Sequence, residues 1–330
     1  KDYKERNAAK DMEQEIIRLK QQGVQGLVID LRNNGGGSLQ TVVDMAGFFI
    51  DEGPVVQVKT SDAGSKVLKD RDGKTLWDGP LVIMVNELSA SASEILAAAM
   101  QDYERAVVLG SKQTFGKGTV QNIIELNRFV SKSTYGDLGA LKFTTEKFYR
   151  ITGKSTQLEG VYSDVVAPDQ YAYVDIGEKD EENPLAWDQI ASASFSKWDG
   201  YQNYQQVIED SAARVARDTL FQLIDKNAKW VRTQQDKNDF SLNYKLFSDE
   251  IAKDESFADQ FEILNEYSNS LTFESLPYEL AKMKTDTLLA EKRKRWKKSL
   301  NKDMYVNEAI SILEALDLNF IGKKPLAMQR

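Results

Sequence analysis

Three short apolar runs constrain the fold of this chain most: GLVIDL at 26–31, LVIMVN at 81–86 and AVVLG at 106–110. Each reads as a buried strand. PVVQVKT and VLKDRDGKTLW add further strand-like segments, with Asp72-Gly73 suggesting a hairpin turn. Between them lie helical patterns. Met12, Ile16, Ile17 and Leu19 recur at helical spacing with Gly23 as a stop, LQTVVDMAGFFI at 39–50 presents Val42, Val43, Met45, Ala46 and Phe49, and EILAAAMQDY follows a serine cluster. Alternation of strand and helix predicts an α/β domain.

At 330 residues the chain is long for one core, which favours two domains. Its net charge of −8 argues against general binding of nucleic acid, which needs a basic surface. No apolar run approaches the ~20 residues that span a bilayer. The opening KDYKERNAAKDMEQ is not signal-like, and an internal fragment of a longer polypeptide is the expectation.

The chain has no histidine and no cysteine. Thiol catalysis, His/Cys zinc sites and His-dependent triads are therefore excluded, and no metal or cofactor is expected. A covalent hydrolase built from this sequence must activate its nucleophile with a lysine, a terminal amine or a carboxylate pair.

LVIMVN runs into Glu87, Leu88 and the serines Ser89, Ser91 and Ser93. A strand, a tight turn and a helix lift a side chain to the lip of a sheet, a suitable place for a nucleophile. The plainer reading makes the serines helix caps and small packing residues. Lys117, between Gly116 and Gly118 in TFGKGTVQ, is the base that could answer them. A lysine amine stays protonated up to about pH 10.4 in water, so a lysine base requires burial. The neighbouring Phe115, Val120 and Ile123 suit it. GSKQTFGKGT at 110–119 also resembles a phosphate-binding loop, but its glycine spacing is one residue too long and Gly118 stands where the magnesium-binding hydroxyl belongs. The triple glycine Gly35 to Gly37 reads as a permissive turn, as a donor of N–H groups to an anion, or as both.

SASASE, AAAMQDY and TFGKGTVQ, preceded by GLVIDLRNNGGGSL, together resemble the tail-specific, or C-terminal processing, serine protease family from about residue 5 to 170. The resemblance implies an α/β catalytic core with a mixed sheet, crotonase/ClpP-like, and a mainly α-helical C-terminal domain. It implies Ser91 as nucleophile, Lys117 as base, Gln121 orienting the lysine, and Asp102 as an auxiliary residue. Backbone N–H groups of Ala92 and of the glycine turn, at Gly36, would form the oxyanion hole. Eleven residues of continuous helix would set Asp102 about 16 Å from Ser91, too far to touch it, so it reads either as a structural partner near the lysine or the sheet or as a solvated aspartate near a helix end. The family's PDZ module is not present in this chain. Two further departures are SKQ at 111–113, a link one residue longer than usual, and Ser163 in place of a proline, expected to loosen one turn.

The expected organisation is a catalytic core at 1–177, an acidic linker at 178–184 and a helical domain at 185–330. KRKRWKK at 292–298 reads as a solvated helix face, and ASASF at 191–195 as a decoy of the serine cluster. The resemblance implies protein or peptide substrates with accessible C-terminal tails, an adaptor on the helical domain as one option, and a bacterial periplasmic or envelope location. A catalytically silent peptide-binding scaffold is the alternative, with nucleotide hydrolysis a third.

Overall fold

The computed structural model describes residues 6–60, 64–130 and 136–321. Helix α1 (Ala8–Gln21) starts where the Asn7 side chain accepts the Lys10 N–H, and it stops ahead of Gly23, whose φ is +71°. Strand β1 (Leu27–Asp30) leads through the glycine turn to α2 (Leu39–Gly47), capped by Ser38. β2 (Gly53–Thr60) and β3 (Ser65–Asp70) form an antiparallel pair. Then come β4 (Leu81–Val85), α3 (Ala92–Asp102), β5 (Val107–Gly110), β6 (Thr119–Glu125), β7 (Ala140–Tyr149) and β8 (Val165–Val166).

The hairpin expected at Asp72-Gly73 does not form. β3 pairs back to β2 instead, and no strand follows it until β4. Asp72 makes only a local turn, accepting the Lys74 N–H at 2.9 Å. Packing explains the difference: buried Trp77 draws the segment beneath the end of α2, where the N–H groups of Leu76 and Trp77 both donate to the Phe48 carbonyl.

Two sheets result. One is parallel, in the order β1-β4-β5-β8, and the other antiparallel, in the order β3-β2-β7-β6. The parallel sheet is buried on both faces, which is why LVIMVN is apolar without alternation. Ile29, Ile83, Val85 and Val108 pack with α2 and α3, while Val82, Met84, Val107 and Leu109 face a second apolar layer.

Helices supply that second layer. They are α4 (Tyr204–Arg217), α5 (Thr219–Gln235), α6 (Tyr244–Ala258), α7 (Ile263–Glu266), α8 (Pro277–Met283), α9 (Thr287–Asn301) and α10 (Met304–Leu318). Val207 and Val215 of α4 and Ile312 and Leu316 of α10 lie against the sheet. The two helices are tied by Glu308, which accepts from buried Ser211 at 2.6 Å and from Arg214 at 2.7 Å. The helices thus begin at Tyr204, later than residue 185. Residues 185–203 run over the core without helix, with Ile190 donating to Gly153 and Ala193 to Ile151. ASASF is part of this segment, and Ser192 bonds backbone carbonyls only. KRKRWKK lies mostly exposed on α9, with Arg293 paired to Glu279. Among the described residues no helix is long and apolar enough to cross a membrane.

Because α10 forms a wall of the core, Ile312→Ala should cost about 2–5 kcal/mol of stability. Urea denaturation followed by tryptophan fluorescence checks this. A wild-type midpoint would mean that α10 is not part of the cooperative core.

Candidate active site

The three serines part company in the fold. Ser89 is fully buried, with its hydroxyl donating to the Leu31 carbonyl at 2.8 Å and accepting the Asn86 N–H at 3.0 Å. Ser93 is buried in the first turn of α3. Ser91 is half-buried at the N-cap of α3, with φ 58° and ψ −115°. A residue with a Cβ at this φ is strained, and such strain is characteristic of a side chain thrust outward at a strand-to-helix turn.

Glu94 holds that turn. It lies one helical turn after Ser91 and is fully buried, and its carboxylate accepts four hydrogen bonds. The Ser91 N–H donates to Oε2 at 2.7 Å and the Lys117 N–H to Oε2 at 3.0 Å. The Gly116 N–H donates to Oε1 at 2.7 Å and the Thr114 hydroxyl to Oε1 at 2.6 Å. Burial pushes this carboxyl up to about 7, and the four donors oppose that rise. One side chain therefore joins the serine turn to the lysine loop. Sequence reasoning missed it, although the spacing Ser91-x-x-Glu94 is that of a capping box.

The lysine loop is also clamped from its other side. A Cβ on Gly118 would lie 2.6 Å from the Gln157 nitrogen, and one on Gly116 would lie 2.9 Å from the Leu158 carbonyl carbon, so both glycines are required by close backbone approach. The Gly118 N–H donates to buried Gln157 at 2.9 Å, and Gln157 in turn donates to Glu178 and to the Leu185 carbonyl. The acidic run is mostly exposed, yet its two ends brace the loop.

Lys117 Nζ donates to Gln121 Oε1 at 3.3 Å. The amine is oriented, but Lys117 is only half-buried, which is less than a lysine base was expected to need. Ser91, Ala92, Lys117 and Gln121 line one cleft of about 290 Å³, with Gly37, Ile123 and Lys142 also in its walls. Gly36 abuts the serine turn: at φ +96° its missing Cβ would come within 2.8 Å of the Ala92 nitrogen. Its own N–H donates to Asn34 Oδ1 at 2.9 Å. Strand β6 follows Gly118, where a phosphate-binding loop would be followed by a helix.

Asp102 ends α3 and lies toward the sheet. It pairs with Arg150, just after β7, at 2.6 and 3.1 Å, and Gln101 joins the same guanidinium. Nor does Ser163 loosen its turn, since its hydroxyl donates to the Ser111 carbonyl at 2.7 Å. The serine thereby fastens the longer link at 111–113, so the two departures from the family pattern meet each other.

The model of peptidase family S41 matches residues 1–167. The chain belongs to peptidase family S41. Residues 171–316 match the C-terminal domain of tail specific protease. This S41 chain is 40% identical over 250 residues to the tail-specific protease of Haemophilus influenzae, covering 74% of the chain and 36% of that relative. It is 42% identical over 121 residues to the carboxyl-terminal-processing protease of Synechocystis, covering 37% and 28% respectively. The chain thus spans about a third of the length of these curated relatives. The solved photosystem II D1 C-terminal processing protease matches 49% of the chain and 39% of its own at 32% identity, with a TM-score of 0.43.

Burial raises Asp70 and, by more, three further carboxyls of the S41 core: Glu87 to about 8, with neighbouring Asp169 adding to the rise, Glu94 to about 7 and Asp164 to about 6. Each holds its proton more tightly folded than unfolded, where the ordinary values are 4.5 for Glu and 3.8 for Asp. Their contribution to stability is thus complete below about pH 4 and is lost as pH rises through 6 to 8. Calorimetry should find Tm several degrees lower at about pH 8.5 than at about pH 6. A Tm that climbs across this range would contradict the assignment.

Proposed function

We propose that this chain is the hydrolytic part of a serine endopeptidase that processes or degrades proteins at or near their C-termini. The observation that carries the reading is the shared cleft: Ser91, Lys117 and Gln121 line it together, with the lysine amine held by Gln121. The names of its relatives, tail-specific and carboxyl-terminal-processing protease, support the substrate class.

In the proposed cycle the neutral Lys117 amine takes the Ser91 hydroxyl proton while Oγ bonds to the scissile carbonyl carbon. The carbonyl electrons move to oxygen, which is held by the N–H groups of Ala92 and of the glycine turn. Gly36 could serve only by releasing Asn34, whereas Gly37 borders the cleft itself. The C–N bond then breaks and Lys117 returns the proton to the leaving amine. Water, deprotonated by Lys117, releases the acyl group. A substrate lying in the cleft would strip water from the half-buried lysine and supply the burial that a base requires.

On the far side of Gly36, Gly37 and Ala92 lies a smaller hollow of about 130 Å³, walled by Leu31, Val42, Met45 and Leu96. It suits a small or medium apolar side chain on the acyl side of the bond. Asp102 is assigned to structure, bracing α3 against β7. An envelope location belongs to the same proposal and rests on the family resemblance; an adaptor or substrate on the helical region is proposed beside it.

The half-exposed lysine also favours a second reading, a silent peptide-binding scaffold. Cleavage of an unfolded protein separates the two. Ser91→Ala and Lys117→Ala should each lower turnover by about three orders of magnitude or more while leaving Tm within a few degrees of wild type. Turnover by either variant at the wild-type rate, or none by the full-length wild type, would contradict the mechanism.

A further inference from the structure

We propose that Lys142 is a specificity-determining cation that pairs with a carboxylate on the fragment leaving the enzyme. The inference rests on the serine–lysine reading above. Lys117 must return a proton to the leaving amine, so the leaving fragment has to pass on the Lys117 side of Ser91. That side of the cleft is walled by β6 and β7, through Thr119, Gln121, Ile123 and Lys142.

The strand register sets the distance. Gln121 lies opposite Thr144 and Ile123 opposite Lys142, so Lys142 stands one strand repeat beyond the residue that orients the base. Two residues of strand span about 7 Å, and an extended peptide advances about 3.4 Å per residue. The leaving fragment therefore reaches Lys142 within about two to four residues of the cut bond. β6 is also the edge of its sheet, where an extended chain can lie alongside.

Charge sets the ligand. Among the described residues the cleft is lined by two lysines and by no aspartate or glutamate. On the same strand Lys147 pairs with Asp188. The Lys142 side chain is exposed and makes no ion pair or hydrogen bond among the described residues. An anionic group on a peptide in this cleft would thus meet an uncompensated ammonium. Two sources supply one, the α-carboxylate of a chain cut close to its end and an acidic side chain farther from an end.

The test uses the full-length protein and three peptides identical up to the scissile bond. Their leaving fragments end in a free carboxylate, in an amide, or in an amide with one internal glutamate. Wild type should prefer one or both carboxylate-bearing peptides to the plain amide by about threefold to fivefold in kcat/KM, mainly through KM, and less so in high salt. Which of the two is favoured identifies the source. Lys142→Ala should bring the ratios to near one, Lys142→Arg should keep them, and Lys142→Glu should invert them. Wild type that cleaves without preference, or a preference that survives in Lys142→Ala, overturns the inference while leaving the serine–lysine reading intact. Wild type that neither cleaves nor reacts at Ser91 with a serine-directed probe takes both down.

Discussion

The candidate site depends on one buried carboxylate. Glu94 is the point where the strained Ser91 turn and the Lys117 loop, 26 residues apart in sequence, are held to a common support. Four donors converge on it and no acidic group among the described residues does, so the donors favour the ionised form against the burial that raises its pKa to about 7. A buried network of this kind rigidifies when every member is paired. Here it fixes the backbone on both sides of the cleft and leaves the Ser91 and Lys117 side chains to project into it.

Support then extends outward in layers. Gln157 ties the lysine loop to Glu178 at the start of the acidic run and to Leu185 just after it, Asn34 closes the glycine turn on itself, Asn86 joins that turn to the end of β4 through Asn33, and Arg150 binds the end of α3 to the antiparallel sheet. Beneath all of these, the parallel sheet needs cover on both faces. α4 and α10 provide it on the side away from α3, so the helical region completes the core that positions the Ser91 turn.

Much of this was legible in the sequence, for physical reasons. Continuous apolar runs such as LVIMVN mark strands covered on both faces, and the lack of histidine and cysteine narrows the choice of base until a glycine-flanked lysine stands out. Family resemblance singled out Ser91; in the fold Ser89 and Ser93 are buried and Ser91 borders the cleft. Asp72-Gly73 misled because a local turn signal was outweighed by the burial of Trp77. The link between Ser163 and Ser111 was hidden because it joins residues 52 apart. Glu94 was visible only as a helix-capping glutamate, since three of its four donors come from segments about twenty residues downstream. Lys117 is half-buried where full burial was expected, because the loop that carries it is packed from below and remains open toward the cleft.

If Glu94 sets Ser91 and Lys117 in register, it governs the rate at which a serine-directed covalent probe modifies Ser91, which can be followed in Glu94→Gln and located by peptide mass mapping. Glutamine keeps the size but turns an amide toward two donors. Labelling is expected at Ser91 alone in wild type and slowed on the order of tenfold or more in the folded variant. Labelling of folded Glu94→Gln at the wild-type rate would contradict it.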